Sequence, residues 1–197
     1  MIEKVIDEIN AGITAMNIFS KINGLCEIIE EPFMVDEVAS IAKFPALYNG
    51  KDQLKYITGG LDYATGIVFH LPNGNQNENI LENIRTREKR VERTWPMKMI
   101  AIIRRNIYNT DNAYSAFDLL SNLQGEVSKQ SIFALKAILN VDKVLTNITS
   151  TSADKLGIIE ETFTNIHFPA LHNLMVVKVE YDIVISGNDQ CFLKYNC

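Results

Sequence analysis

The chain has 197 residues, of which 47% are hydrophobic and 22% charged, with a net charge of −5. That length allows one large domain or two small ones, and a domain of this size buries about 70% of the surface its unfolded chain exposes, so it needs no staple. The acidic balance argues against nonspecific duplex binding; three cysteines, Cys26, Cys191 and Cys197, form neither a disulfide framework nor a zinc ribbon and suit a reducing compartment.

The opening MIEKVIDEIN is acidic and amphipathic, unlike a signal or transit peptide. No apolar run approaches the ~20 residues of a membrane span. Ile2, Val5, Ile6, Ile9, Ile13 and Met16 recur at three or four residues and predict a core-facing helix over residues 2–22, stopped at Asn23-Gly24. A short strand is expected at Leu25–Ile29, ended by Glu30, Glu31 and Pro32, with further short strands near 44–49 and 53–58. Thr65–Leu71 is rich in residues that suit a pleated, half-buried surface and predicts another strand. His70, near its end, has no ligand types close by in sequence and reads as a surface or core histidine rather than a metal ligand.

Pro72–Asn79 reads as a polar loop with turn chemistry at Asn73-Gly74. The run Arg85–Arg93 follows, with Arg85, Arg87, Lys89, Arg90 and Arg93 against Glu88 and Glu92. Alternation suits an exposed strand and Ile80, Leu81 and Ile84 suit a helical turn, so periodicity leaves both open. Pro96 is expected to open a strand, because proline cannot donate within a ladder. Met97–Ile103 is apolar on both faces apart from Lys98 and reads as a central strand covered on both sides. Asn109-Thr110-Asp111 signals a helix start. The helix is expected to reach Leu123 with Tyr114, Phe117, Leu120 and Leu123 on its inner face, and to stop at Gln124-Gly125. A second helix over 128–140 would turn Ile132, Leu135, Ile138 and Leu139 inward. Val141–Thr149 is strand or continued helix, Ser150–Ser152 a loop and cap, and Asp154–Phe163 a short helix or strand.

The least ambiguous signal is LMVVKVEYDIVIS, Leu174–Ser186. Met175, Val177, Val179, Tyr181, Ile183 and Ile185 alternate with a more polar set, which predicts a strand of about 40 Å with one buried face. With no repeat and no linker, these elements predict a single α+β domain over 1–197. It would be a mostly antiparallel sheet with helices packed on one face, a long C-terminal strand, and a protruding arm at about 72–93.

Motifs that carry chemistry are missing. Gly59-Gly60 lacks the spacing and lysine of a phosphate loop, and no GxSxG elbow occurs. His167 and His172 flank Pro169 and suit a turn better than a metal pair. The adjacent acids Glu30-Glu31, Asp36-Glu37 and Glu160-Glu161 do not face each other on a helix or strand. Catalytic residues, cofactor and metal are therefore all expected to be none.

The order of parts is more informative. An amphipathic N-terminal helix, an FPALYNG segment, a charged run into TWPMKMIAIIRRN, then helices and a terminal HFPALHNLMVVKVEYDIVI resemble the small neck and tail-completion proteins of tailed bacteriophages, including the tail-terminator type. The resemblance implies a non-enzymatic virion protein, a subunit of a head-to-tail connector or tail-completion ring of six or twelve copies. It would contact portal, neck or tail proteins and let DNA pass through the lumen without sequence-specific binding. Arg85, Arg87, Lys89, Arg90 and Arg93 would form its contact strip. A reading of another class is a small soluble interaction or regulatory domain without enzymatic activity; a third is an enzyme with dispersed catalytic residues.

Overall fold

The two most apolar runs lie side by side. In the structure, a computed structural model describing residues 1–35, 38–48, 54–57, 66–82, 89–105, 115–166, 168 and 171–188, β7 (Lys89–Arg104) pairs antiparallel with β9 (Leu174–Asn188) from Arg90↔Asn188 to Arg104↔Leu174. These strands have 16 and 15 residues, against a usual length of about 5–6. Both carry a full inward set, and a one-residue slip would turn that set to the other face.

The sheet grows outward from this pair. β8 (Lys143–Ser152) flanks β9. On the other side β7 is lined by two strands in succession, β6 (Asn77–Glu82) along its first half and β5 (Ile67–Pro72) along its second. β1 (Lys21–Leu25) joins β5 in parallel, giving the order β1-β5-β7-β9-β8 with β6 beside β7. A separate antiparallel sheet comprises β2 (Glu27–Val35), β3 (Val38–Tyr48) and β4 (Leu54–Tyr56).

Helices cover the odd-numbered side chains of β9. The helices α1 (Ile2–Ala15), α2 (Ala116–Val127) and α3 (Gln130–Leu139) enclose one core with Met175, Val177, Val179, Tyr181, Ile183 and Ile185. The opposite face is covered along part of its length by α4 (Lys155–Thr162) and the smaller sheet, around Phe69, Ile100, Ile102, Phe163 and Val176. The fold is thus α+β, a mostly antiparallel mixed sheet with helices packed against it and a long C-terminal strand.

Several local expectations are revised. Helix α1 ends at Ala15, not near residue 22, because Asn17 takes a left-handed conformation (φ 54°) and releases the chain into β1. Pro32 lies inside β2 opposite Ile41; Lys43, opposite Glu30, turns its N–H and C=O away from β2 to Thr164, so by alternation Pro32 faces away from β3 and its missing N–H costs no ladder bond. Helix α2 is capped by Ser115, whose side chain and that of Asp118 exchange hydrogen bonds with each other's backbone, and it runs through Gly125. The expected start at 109–111 and Tyr114 lie outside the described residues. Leu119, Leu120, Leu123 and Val127 face the core, whereas Phe117 is 73% exposed. In α3 Ile138 is likewise exposed, and Asn140 (φ 53°) ends the helix. Residues 143–152 form a strand, with Asp154 capping α4.

Candidate functional site

Pro96 explains the most unusual part of the sheet. It sits within β7, not at its start, opposite Asp182. Its carbonyl accepts the N–H of Asn73 at 2.9 Å, in the turn between β5 and β6. In an antiparallel ladder the N–H and C=O of one residue point to the same side. The missing N–H of Pro96 therefore falls at the junction where β6 hands over to β5, and no ladder bond is lost.

Beyond that junction β6 and the first half of β7 pair as a ribbon along one edge of the sheet, with β7 bound to β9 on its other side. Every residue of β6 is exposed, including Ile80 at 65% and Leu81 at 50%. The region expected to be a polar loop is a loop only over 73–76, and the expected arm is extended where it is described. Arg93 pairs with Glu78 across the ribbon at 2.8 Å, and Trp95 donates to Gln76 at 3.1 Å. Thus the ribbon is stitched by side chains as well as by its ladder. Of the five predicted contact residues, Arg85 and Arg87 lie outside the described residues. Lys89 is exposed, Arg90 is exposed beside Asp142 at 3.7 Å, and Arg93 is half-buried in its pair with Glu78. The basic strip is thus partly neutralised by its own chain. Lys143 on β8 reaches Glu92 at 3.5 Å in the same region.

The direction of the backbone groups on β6 follows from Pro96. Even-numbered residues of β7 face β6, so their partners Asn77, Asn79 and Leu81 face back. Glu78, Ile80 and Glu82 turn their N–H and C=O outward, where no strand pairs with them among the described residues. β6 also lacks the lysine, proline and bulge that commonly protect an edge.

Sequence reasoning missed a buried polar string under α1. The His70 ring is fully buried and uses both nitrogens, with Tyr181 Oη at 2.8 Å from Nδ1 and Asn10 Oδ1 at 3.0 Å from Nε2. Asn10 Oδ1 can only accept, so Nε2 carries the proton and Nδ1 accepts from Tyr181. Asn10 then donates to the Asn23 carbonyl and Asn23 to the Val68 carbonyl. Burial lowers the His70 pKa to about 3 and pushes the Tyr181 phenol up, so both stay neutral. The string ties α1, β1, β5 and β9 together. Its members come from distant positions, and only the lone histidine in an apolar strand gave any sign of it.

On the opposite sheet face Glu161 lies between Lys98 and Lys178, and Lys178 also meets Glu180 at 2.8 Å. Partial burial would raise the Glu161 pKa, but hydrogen bonds from Lys178 and Lys98 outweigh it and hold the carboxyl below its ordinary value. A groove of about 590 Å³ separates α1 from the β2–β3 hairpin, with Glu3, Asp7 and Glu27 on its walls and Ile6, Leu25 and Leu47 among its apolar lining. Among the described residues no group of three or more His, Cys, Asp or Glu is placed to hold a metal ion, and no helix is long and apolar enough to cross a membrane. No protein-family model matches the chain, and no curated protein matches it.

Proposed function

We propose that this chain is a structural virion protein that assembles in several copies into a ring, of the head-to-tail connector or tail-completion kind formed in tailed phages. Such a ring would join portal and tail and leave a lumen through which DNA passes. The observation that carries this reading is the outer edge of β6, which exposes Ile80 and Leu81 and whose outward backbone groups pair with no strand among the described residues. An open edge is a template for another strand. Rings require heterologous contacts that close by rotation, and a strand at the edge of a sheet can meet a neighbour's strand without disturbing the core. The acidic net charge suits a lumen in which DNA slides without adhering.

The test measures mass in solution by light scattering and shape by electron microscopy, for the wild type and for a variant with Arg85, Arg87 and Arg90 all changed to Ser. The wild type should form closed multimers. The variant should assemble less well while retaining its melting temperature, because exposed ion pairs contribute only ~0–1 kcal/mol each to the fold. A wild type that remains monomeric at millimolar concentration and in the presence of its neighbouring ring would instead leave a small soluble interaction domain without enzymatic activity.

A further inference from the structure

We infer that the open edge of β6 pairs antiparallel with the open edge of β8 on the next copy, so that one sheet continues from subunit to subunit. This rests on the ring reading and names the surfaces that build it. At the ribbon end the sheet is four strands wide, in the order β6-β7-β9-β8, and every neighbouring pair is antiparallel. With an even number of alternating strands, the two outer edges run in opposite directions. Copies placed head to tail about a ring axis therefore bring β6 and β8 together antiparallel, and the alternation is unbroken.

The backbone groups match as well. On β9 the even-numbered residues face β8, where Lys143↔Ser186, Leu145↔Val184 and Asn147↔Asp182 are partners. Val144 and Thr146 therefore turn their N–H and C=O outward, with no strand on that side among the described residues. Their side chains lie on the helix-covered face: Val144 is part of that core, and Thr146 donates its hydroxyl to the Val127 carbonyl at the end of α2. Ile80, opposite the buried Val91, lies on the same face. Outward backbone groups and side-chain faces agree on both edges, as a continued sheet requires.

One register uses the side chains best. Setting Ile80 opposite Thr146 places Leu81 against Leu145 and Asn79 against Asn147. Ile80 would lie near Ile148, which is partly buried against the helix-side core. A one-residue slip would put Ile80 on the opposite face from its partner. β8 carries a bulge between Ile148 and Ser150, which limits the free edge to its first half and matches the six residues of β6.

Proline substitution tests each edge separately. Ile80→Pro removes an outward N–H and leaves the β6–β7 ladder intact; Thr146→Pro does the same on β8. Ile80→Val and Thr146→Val serve as controls for the side chains, the latter also for the loss of the hydroxyl bond. Circular dichroism and melting of each variant establish that it folds. Native mass spectrometry of the wild type and both valine variants should show multimers, and each proline variant alone should be monomeric. Mixing the two proline variants should yield a one-to-one dimer, since one supplies a live β6 and the other a live β8. Wild-type multimers together with unimpaired assembly of folded Thr146→Pro would overturn the β6–β8 contact and leave the ring reading standing. Monomeric wild type under all conditions would overturn both. Should Thr146→Pro not fold, disulfide trapping decides: copies with Ile80→Cys mixed with copies carrying Thr146→Cys, each with Cys191 and Cys197 changed to Ser, should cross-link. Cross-linking confined to Ile80→Cys with itself would overturn the head-to-tail contact.

Discussion

The two halves of β7 illustrate how one strand serves opposite purposes. From Met97 to Ile103 it is buried on both faces, between β5 and β9, under helices on one side and the smaller sheet on the other. From Lys89 to Pro96 most of its residues are exposed or half-buried, and its neighbour β6 has no outer partner among the described residues. Both halves pair with β9 in an unbroken register. What differs is the covering, not the strand. The buried half derives its stability from apolar area removed from water. The ribbon half buries Val91 in the helix-side core and otherwise relies on its ladder and on pairs such as Arg93–Glu78, which contribute little in water. Perturbation at the buried end should unfold the protein, and perturbation of the exposed residues of β6 should alter chiefly what it binds.

The sharpest way to break this contrast is Val179→Asp. Val179 is fully buried opposite Met99 on β9, so a carboxylate there loses its water without gaining a partner. Stability should fall by several kcal/mol, read as a lower urea midpoint. A loss below about 1 kcal/mol would mean that the buried end is no more critical than the ribbon.

Acid should attack the same end next. The folded pKa of His70, about 3, lies below its ordinary value of 6.5. The unfolded chain therefore takes up the proton first. The contribution is whole above pH 6.5 and is lost as pH falls toward about 3, at up to ~1.4 kcal/mol per pH unit. His70→Gln should flatten this part of the stability profile, measured by denaturant melts across pH. At neutral pH Tyr181→Phe should cost about 1–3 kcal/mol, because the Nδ1 acceptor of His70 would remain buried without a donor.

The smallest effect is expected on the partly open polar face. Glu161→Gln removes the carboxylate shared by Lys98 and Lys178, but Glu161 is 40% exposed and water screens the pairs. The change should be about 1 kcal/mol or less by thermal melting. A larger loss would place this cluster with the core rather than with the surface.

Much of the fold was legible because period-two apolar patterning survives wherever a strand keeps one face buried. β9 emerges directly from its alternation, the central half of β7 from its two-faced apolar run, and α1 from its stripe of Ile and Val. Element ends were less legible where local chemistry was read without its neighbours. Asn17 rather than Gly24 turned the chain, and Phe117 and Ile138 fit a helical stripe yet face outward because the sheet lies on the adjacent side of each helix. β6 was hidden altogether. NENILE has no periodic signal of its own and becomes a strand because β7 extends past β5 and offers it a ladder. Pro96 could not be placed inside a strand from sequence, since its tolerance there depends on a gap between two neighbours on one side. The polar string of Asn10, Asn23, His70 and Tyr181 belongs to tertiary structure alone, because hydrogen bonds between such distant residues leave no local period. Sequence determined which surfaces had to be buried. Folding decided which edges were left open, because an edge is defined only by the strand that is absent beside it.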